Sequence, residues 1–241
     1  MRQQRQQIIE IWRHLRQWAD ASPLWSERFE QTISQTLQAG LAHLQIEQQQ
    51  LQQHLQGGMG KPFYQYAFEK FTCEYCPEEQ HSFIECYLQQ NAAAISAFAL
   101  AYCEQLNIAP LRLWSVQNVT ATGEIWLFPT DSTNSTDEAI CVQQAGGNSG
   151  DYLLARVVTV DGHAYCGATA LALAASEGKQ VHQLIQSQQQ EMIRYFEQAG
   201  KDEQVALSGQ HLQQFTAEVV SDDAGEIAFN LWLAAVCREA A

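Results

Sequence analysis

The chain has 241 residues, 46% of them apolar, enough for one large domain or two small ones whose core needs neither metal nor disulfide. Its net charge of −14 comes from 13 basic and 27 acidic residues, and so negative a surface repels phosphate backbones, so no direct nucleic-acid binding is expected. Seven cysteines fit no small secreted framework, no signal-peptide pattern opens the sequence, and no apolar run suits a membrane span; the expectation is a soluble cytoplasmic protein with reduced thiols.

Residues 1–20 hold Arg2, Arg5, Arg13 and Arg16 against Glu10 and Asp20, so the acidity resides in the remainder of the chain. Ile8, Trp12, Leu15 and Ala19 recur at helical spacing. Ser22 then caps a second helix with Pro23 at its first position. Phe29, Ile33, Leu37, Leu41, Leu44, Leu51 and Leu55 extend the pattern to "GGMG". That length suits a coiled-coil-like hairpin or a dimer arm, although Gly40 inside it costs about 1 kcal/mol relative to alanine. A further helix is expected from Pro77, with Glu78 and Glu79 in its first turn. Ile84, Leu88, Ile95, Phe98, Tyr102 and Leu106 form its buried side, and Pro110 ends it.

The pattern changes at residue 111. "LRLWSVQNV" and "EIWLFP" predict a hairpin, and "AICVQQ" and "DYLLARVVTV" add strands on either side of "AGGNSGD". Short connections predict an antiparallel meander rather than parallel βαβ units. Helices are expected at "CGATALALAAS" and "VHQLIQSQQQEMIRYFEQAG", and a buried one at "GEIAFNLWLAAVC". The predicted fold class is α+β: a helical N-terminal region, residues 1–108, then an antiparallel β-meander packed against C-terminal helices, residues 109–241.

Two stretches carry candidate chemistry. "TCEYCPEEQHSFIECY" spaces Cys73, Cys76, His81 and Cys86 as C-x2-C-x4-H-x4-C, a donor set suited to tetrahedral zinc. The spacing resembles the zinc knuckle of retroviral nucleocapsid proteins, which implies these four residues as metal ligands. Knuckles carry glycines around the metal and basic and aromatic residues for single-stranded nucleic acid. Here Pro77, Glu78, Glu79 and Gln80 fill the loop and Glu85 precedes Cys86. On a helix begun at Pro77, His81 and Cys86 diverge by about 140°. The preferred reading is therefore no cofactor, with the cysteines as small core hydrophobes; structural zinc is the alternative. A C-x-x-C redox pair would need a βαβ context that the flanks lack.

The second stretch is "VDGHAYCGATALALAASEGK". A turn at Asp161-Gly162 and a helix opening near Cys166 would place that thiol at a helix N-terminus, where the dipole favours thiolate. The run from Cys166 to Ala172 resembles the nucleophile motif of papain-like peptidases of the bacteriocin-processing type, which implies Cys166 as nucleophile with a later histidine and aspartate. His182, His211, Asp222 and Asp223 follow it, and His163 stands three residues ahead. Cys166, His163 and His211 are the candidate catalytic set of a thiol-dependent hydrolase or acyltransferase. Against it, both later histidines fall in segments that read as helix, and only 75 residues follow Cys166. "AGGNSGD" has no lysine for a phosphate cradle, and Asp131, Asp137 and Glu138 lack calcium-loop offsets.

With no complete catalytic constellation, the sequence favours a non-enzymatic protein acting through protein–protein interaction, in an adaptor, regulatory or sensor-like role. A basic protein partner suits its charge, a homodimer through residues 23–56 suits the long amphipathic pattern, and Trp12, Trp18 and Trp25 are candidate anchors. The thiol enzyme and a zinc-stabilised binding module are the competing readings.

Overall fold

The structure is a computed structural model, and it describes residues 2–44, 48–56, 60–121, 123–130, 139–143, 148–202 and 224–237. The chain divides into two compact units. Unit 1 comprises Met1–Ala109, Arg156–Ala170 and Val236–Ala241; unit 2 comprises Pro110–Ala155 and Leu171–Ala235. Among the described residues, no helix is long and apolar enough to cross a membrane.

Unit 1 is built from α1 (Arg2–Ala21), α2 (Pro23–Leu44), α3 (Gln48–His54), α4 (Gly60–Cys73), the short strands β1 (Tyr75–Cys76) and β2 (His81–Ser82), α5 (Phe83–Asn91) and α6 (Ala97–Ile108). On α1 the expected seam is present: Leu15 and Ala19 are buried, Ile11 joins them, and Ile8 and Trp12 are half-buried. The α2 helix starts at Pro23, and the Ser26 N–H donates to the Ser22 carbonyl at 2.9 Å. Its buried stripe differs from the expected one. Trp25, Phe29, Thr32, Thr36 and Gly40 face inward, while Ile33, Leu37 and Leu41 are half-buried. Thr32 and Thr36 enter the interior because each hydroxyl donates to a carbonyl one turn back, Arg28 at 3.1 Å and Thr32 at 2.8 Å. Residues 45–47 and 57–59, the latter within "GGMG", lie outside the described residues, with helix on either side of the first gap.

The α4 helix occupies a stretch for which the sequence predicted no element. Pro62 is tolerated in its first turn because the N–H it lacks has no intrahelical acceptor there. The helix expected from Pro77 to Pro110 is instead two helices. Residues 77–80 form the turn between β1 and β2, which pair antiparallel, and Gln80 takes a left-handed φ of 59°. Ser82 then caps α5: its hydroxyl accepts from the Glu85 N–H at 3.2 Å, and the Glu85 carboxylate accepts from the Ser82 N–H at 2.7 Å. This capping box fixes the start at Phe83. Ser96 caps α6 the same way on one side, accepting from the Ala99 N–H at 3.2 Å. Edge-on and tilted aromatic pairs fill the space between α2, α4 and α5, among them Phe71–Phe83 at 4.6 Å and Trp25–Phe83 at 5.2 Å. Such pairs add roughly 0.5–1.5 kcal/mol each beyond their buried area.

The long strands are β3 (Leu111–Val119), β4 (Glu124–Pro129), β5 (Ile140–Gln143), β6 (Tyr152–Val160) and β7 (His163–Leu173). The fold is α+β, but the sheet is a closed barrel of order β3-β4-β5-β7-β6, not the expected meander. The difference arises at "CGATALALAAS", which continues β7 as strand where helix was expected. Asp161 and Gly162, with φ of 51° and 74°, make the two-residue loop of a primed hairpin turn, whose twist matches the strands it joins. The chain returns along β6, and β7 then sits between β5 and β6.

Within unit 2, Ile125 pairs with Val142 and both are buried; on the other edge the Val116 N–H donates to the Asp151 carbonyl at 2.9 Å. Among the described residues, the helices of this unit are α7 (Ala175–Asp202), which buries Val181 and Ile185, and α8, over 224–237, whose last two residues count with unit 1. The second is largely buried, as its apolar sequence predicted, with Ala228 and Leu233 fully enclosed.

Candidate functional site

The candidate nucleophile is not at a helix terminus. Cys166 lies inside β7, so no helix dipole acts on it, and burial pushes its thiol up to about 12. His163 opens the same strand and is exposed. Three residues apart on a strand, the two side chains leave opposite faces. His211, Asp222 and Asp223 lie outside the described residues, as do Asp131, Asp137, Glu138 and residues 144–147 of the "AGGNSGD" stretch. His182 is half-buried on α7 and shares a 2.9 Å hydrogen bond with Gln186.

The four candidate zinc ligands go to different surroundings. Burial pushes the Cys73 thiol, at the end of α4, up to about 12. Cys76, in β1, accepts a hydrogen bond from Arg28. His81 lies before α5, with Nδ1 3.5 Å from the Glu85 carboxylate, and Cys86 sits half-buried within that helix, its thiol raised by burial. Among the described residues, no three or more His, Cys, Asp or Glu side chains converge as a metal site.

Unit 1 contains two other polar arrangements. The first is closed. Glu69, on α4, is 1% exposed and points at the outer half of the β6–β7 hairpin. Its Oε2 accepts from the Thr169 N–H at 2.6 Å, and its Oε1 stands 3.3 Å from Arg156 Nε. Neither Oε1 nor Nε completes a hydrogen bond, so the contact is an ion pair with poor alignment. Gly167 leaves room beside it, since a Cβ there would lie 2.5 Å from Oε2 and the carboxylate would have to shift. Burial raises the Glu69 carboxyl to about 7 even though Arg156 and the Thr169 amide pull it down. A chain of donors runs alongside: Trp12 Nε1 to the Tyr102 hydroxyl at 3.2 Å, and that hydroxyl to the Cys166 carbonyl at 3.1 Å.

The second arrangement is open. A cleft of about 190 Å³ lies between α2 and β1, lined by Trp25, Arg28, Phe71, Glu74, Tyr75 and Cys76 among others. The Arg28 guanidinium lies over the Trp25 ring at 5.6 Å and pairs with Glu78 at 3.2 Å and Glu79 at 3.9 Å. Its own N–H, the Cys76 thiol and Arg28 hold the exposed Glu78 carboxyl below the usual range. Tyr75 stands at the mouth, 61% exposed. Glu74 and Arg28 supply one charge of each sign to the lining, and Glu78 and Glu79 pair with Arg28 from outside it.

Glu69, Arg156, Arg28 and Tyr75 were not singled out from the sequence. An acid framed by aromatics in "YAFEKF" is the one local sign of Glu69, and it acquires meaning only once α4 is known to be a helix. Arg28 and Tyr75 lie 47 positions apart, and only the pairing of α2 with β1 across the cleft brings them together. The molecule is thus an α+β protein whose unit 1 combines a sealed polar centre with an open aromatic cleft. Comparison with known proteins finds no match to a family model, a curated protein or a solved structure.

Proposed function

We propose that this protein acts by binding another protein, and that the cleft of unit 1 receives a basic side chain from a partner segment. One observation carries the reading: in an open recess with aromatic walls, the carboxylate of Glu74 lies in the lining, and Glu78 and Glu79 stand next to it through their pairing with Arg28. The cleft is smaller than the roughly 300–1,000 Å³ of small-molecule sites, which favours a single lysine or arginine side chain over a free metabolite. A long basic side chain can lay its methylenes on Trp25 and Phe71 while its head meets Glu74 and Glu78. Trp, Tyr and Arg, the residue types enriched at binding hot spots, are all present. The overall charge of −14 adds attraction at long range.

The high-lying thiol of Cys166 supports recognition over thiol chemistry, because the thiolate is the reactive form. A cytoplasmic setting belongs to this reading, supported by seven unpaired cysteines. Self-association through residues 23–56 would use the half-buried ridge of Ile33, Leu37 and Leu41. The binding reading is tested with an array of lysine- and arginine-containing peptides whose net charge is varied, followed by calorimetry on the strongest binder. The expected result is micromolar affinity that weakens with salt and falls at least tenfold in the Glu74→Gln/Glu78→Gln variant. Absence of binding, or binding indifferent to both substitutions, would refute it.

A further inference from the structure

The Glu69 centre has the construction of a proton-controlled clamp. We infer that Glu69 fastens the Arg156–Ala170 hairpin to α4 when protonated and loosens it when ionised. The geometry gives the direction. An ionised Glu69 draws on the Thr169 N–H at 2.6 Å, on weaker help from the Thr169 hydroxyl and the Ala168 N–H, and on one misaligned cation, Arg156, which together do not offset its loss of water. That leaves a buried charge incompletely satisfied, which is costly. A protonated Glu69 keeps the Thr169 amide bond and gains a donor, and the buried Thr169 hydroxyl, close to Glu69 but without a well-formed hydrogen bond, can accept it. Arg156 is not stranded by the change, since its guanidinium also donates to the Ala109 carbonyl.

The surroundings single out Glu69 as the group that responds near neutrality. Arg156 faces it from β6, and arginine stays charged. From β7 comes the Cys166 thiol, from α6 Tyr102 and Cys103, and from α4 itself Cys73. Burial holds these three thiols up to about 12 and raises Tyr102 well above its ordinary value, so none loses a proton at neutral pH. The other helices packed on α4 meet it at its rings, Phe29 of α2 on Phe68 and Phe83 of α5 on Phe71, and α1 sets the Arg16 guanidinium over the Phe68 ring at 5.5 Å.

When the hairpin opens, Glu69 meets water and returns to the ordinary carboxyl range near 4.5, whereas the closed form titrates at about 7. Linkage between these states makes opening about 70-fold more favourable at pH 8 than at pH 5. The test is amide hydrogen exchange over residues 156–170 in the full chain across that range, corrected for intrinsic exchange, with Glu69→Gln alongside. Glutamine keeps a carbonyl for the Thr169 N–H and cannot ionise. The expected result is protection that falls with rising pH in the native protein and stays high and flat in the variant. A flat native profile, or a pH dependence that survives the substitution, overturns the inference. Should the variant not fold, the Glu69 carboxyl-carbon resonance of the labelled native protein decides: a midpoint near 7 that tracks the loss of protection supports the clamp, and a midpoint in the ordinary range overturns it.

Discussion

Unit 1 contains two arginine–glutamate pairs of similar separation and opposite behaviour. Arg28 and Glu78 are 3.2 Å apart, with the Glu78 side chain 70% exposed, and the carboxyl is held below its ordinary range. Arg156 and Glu69 are 3.3 Å apart, with the Glu69 side chain 2% exposed, and the carboxyl rises to about 7. The partner charge pulls downward in both cases. What differs is water. At the cleft Glu78 keeps its hydration and collects a backbone N–H and a thiol as further donors. In the interior Glu69 loses its hydration, and a poorly aligned guanidinium, the Thr169 and Ala168 amides and the Thr169 hydroxyl do not make up for it. Distance alone does not predict what an ion pair does; access to solvent and the number of aligned donors do.

The comparison breaks most readily at its buried end. Replacing Arg156 with methionine removes the counter-charge of an ionised Glu69, and at pH 8 an acid that titrates at about 7 escapes by taking up a proton at a cost of about 1.4 kcal/mol. Urea unfolding at pH 8 should register a loss of that size. The same substitution should be much milder at pH 5, where Glu69 is protonated in the native protein with or without its arginine. The sign follows from the raised pKa. Glu69 contributes on the order of 3 kcal/mol that is fully present below pH 4.5 and is lost as pH rises through about 7, opposite to a carboxylate held by a surface cation. Equal losses at both pH values would mean that Glu69 is ionised throughout and that the guanidinium, not desolvation, governs it.

The exposed end should be nearly silent. Glu78→Gln is expected to leave the melting temperature unchanged at physiological salt, because a solvated pair is screened and its long side chains lose freedom on pairing. A clear fall in melting temperature would show that the cleft is a rigid structural brace rather than a surface held open for a partner.

The sequence revealed the elements better than the sites. Hydrophobic spacing placed α1, Ser22-Pro23 the start of α2, β-rich runs the strands β3 to β6, and apolar sequence the body of α7 and the helix over 224–237. It misplaced α5, although Ser82 and Glu85 spell the capping box that starts it, because Pro77 followed by two acids offered a rival start. It misassigned β7, where alanine and leucine favour helix locally and only the Asp161-Gly162 turn commits the chain to return as strand. Neither polar arrangement was legible. Glu69 meets Thr169 across 100 residues and Arg28 meets Cys76 across 48, and no local pattern records such a meeting. The cysteine spacings that drew notice were local, and Cys73 and Cys166 lie in buried surroundings that suppress thiol chemistry.

The central claim is that Cys166 and Glu69 are sealed in the interior of unit 1. The most direct test is the rate at which iodoacetamide modifies Cys166 in the native protein, followed residue by residue with mass spectrometry between pH 7 and pH 9. The prediction is that Cys166 reacts far more slowly than a free cysteine and only as fast as the 156–170 hairpin opens or the protein unfolds. Modification of Cys166 at neutral pH faster than a free cysteine, in protein that remains folded, would contradict it.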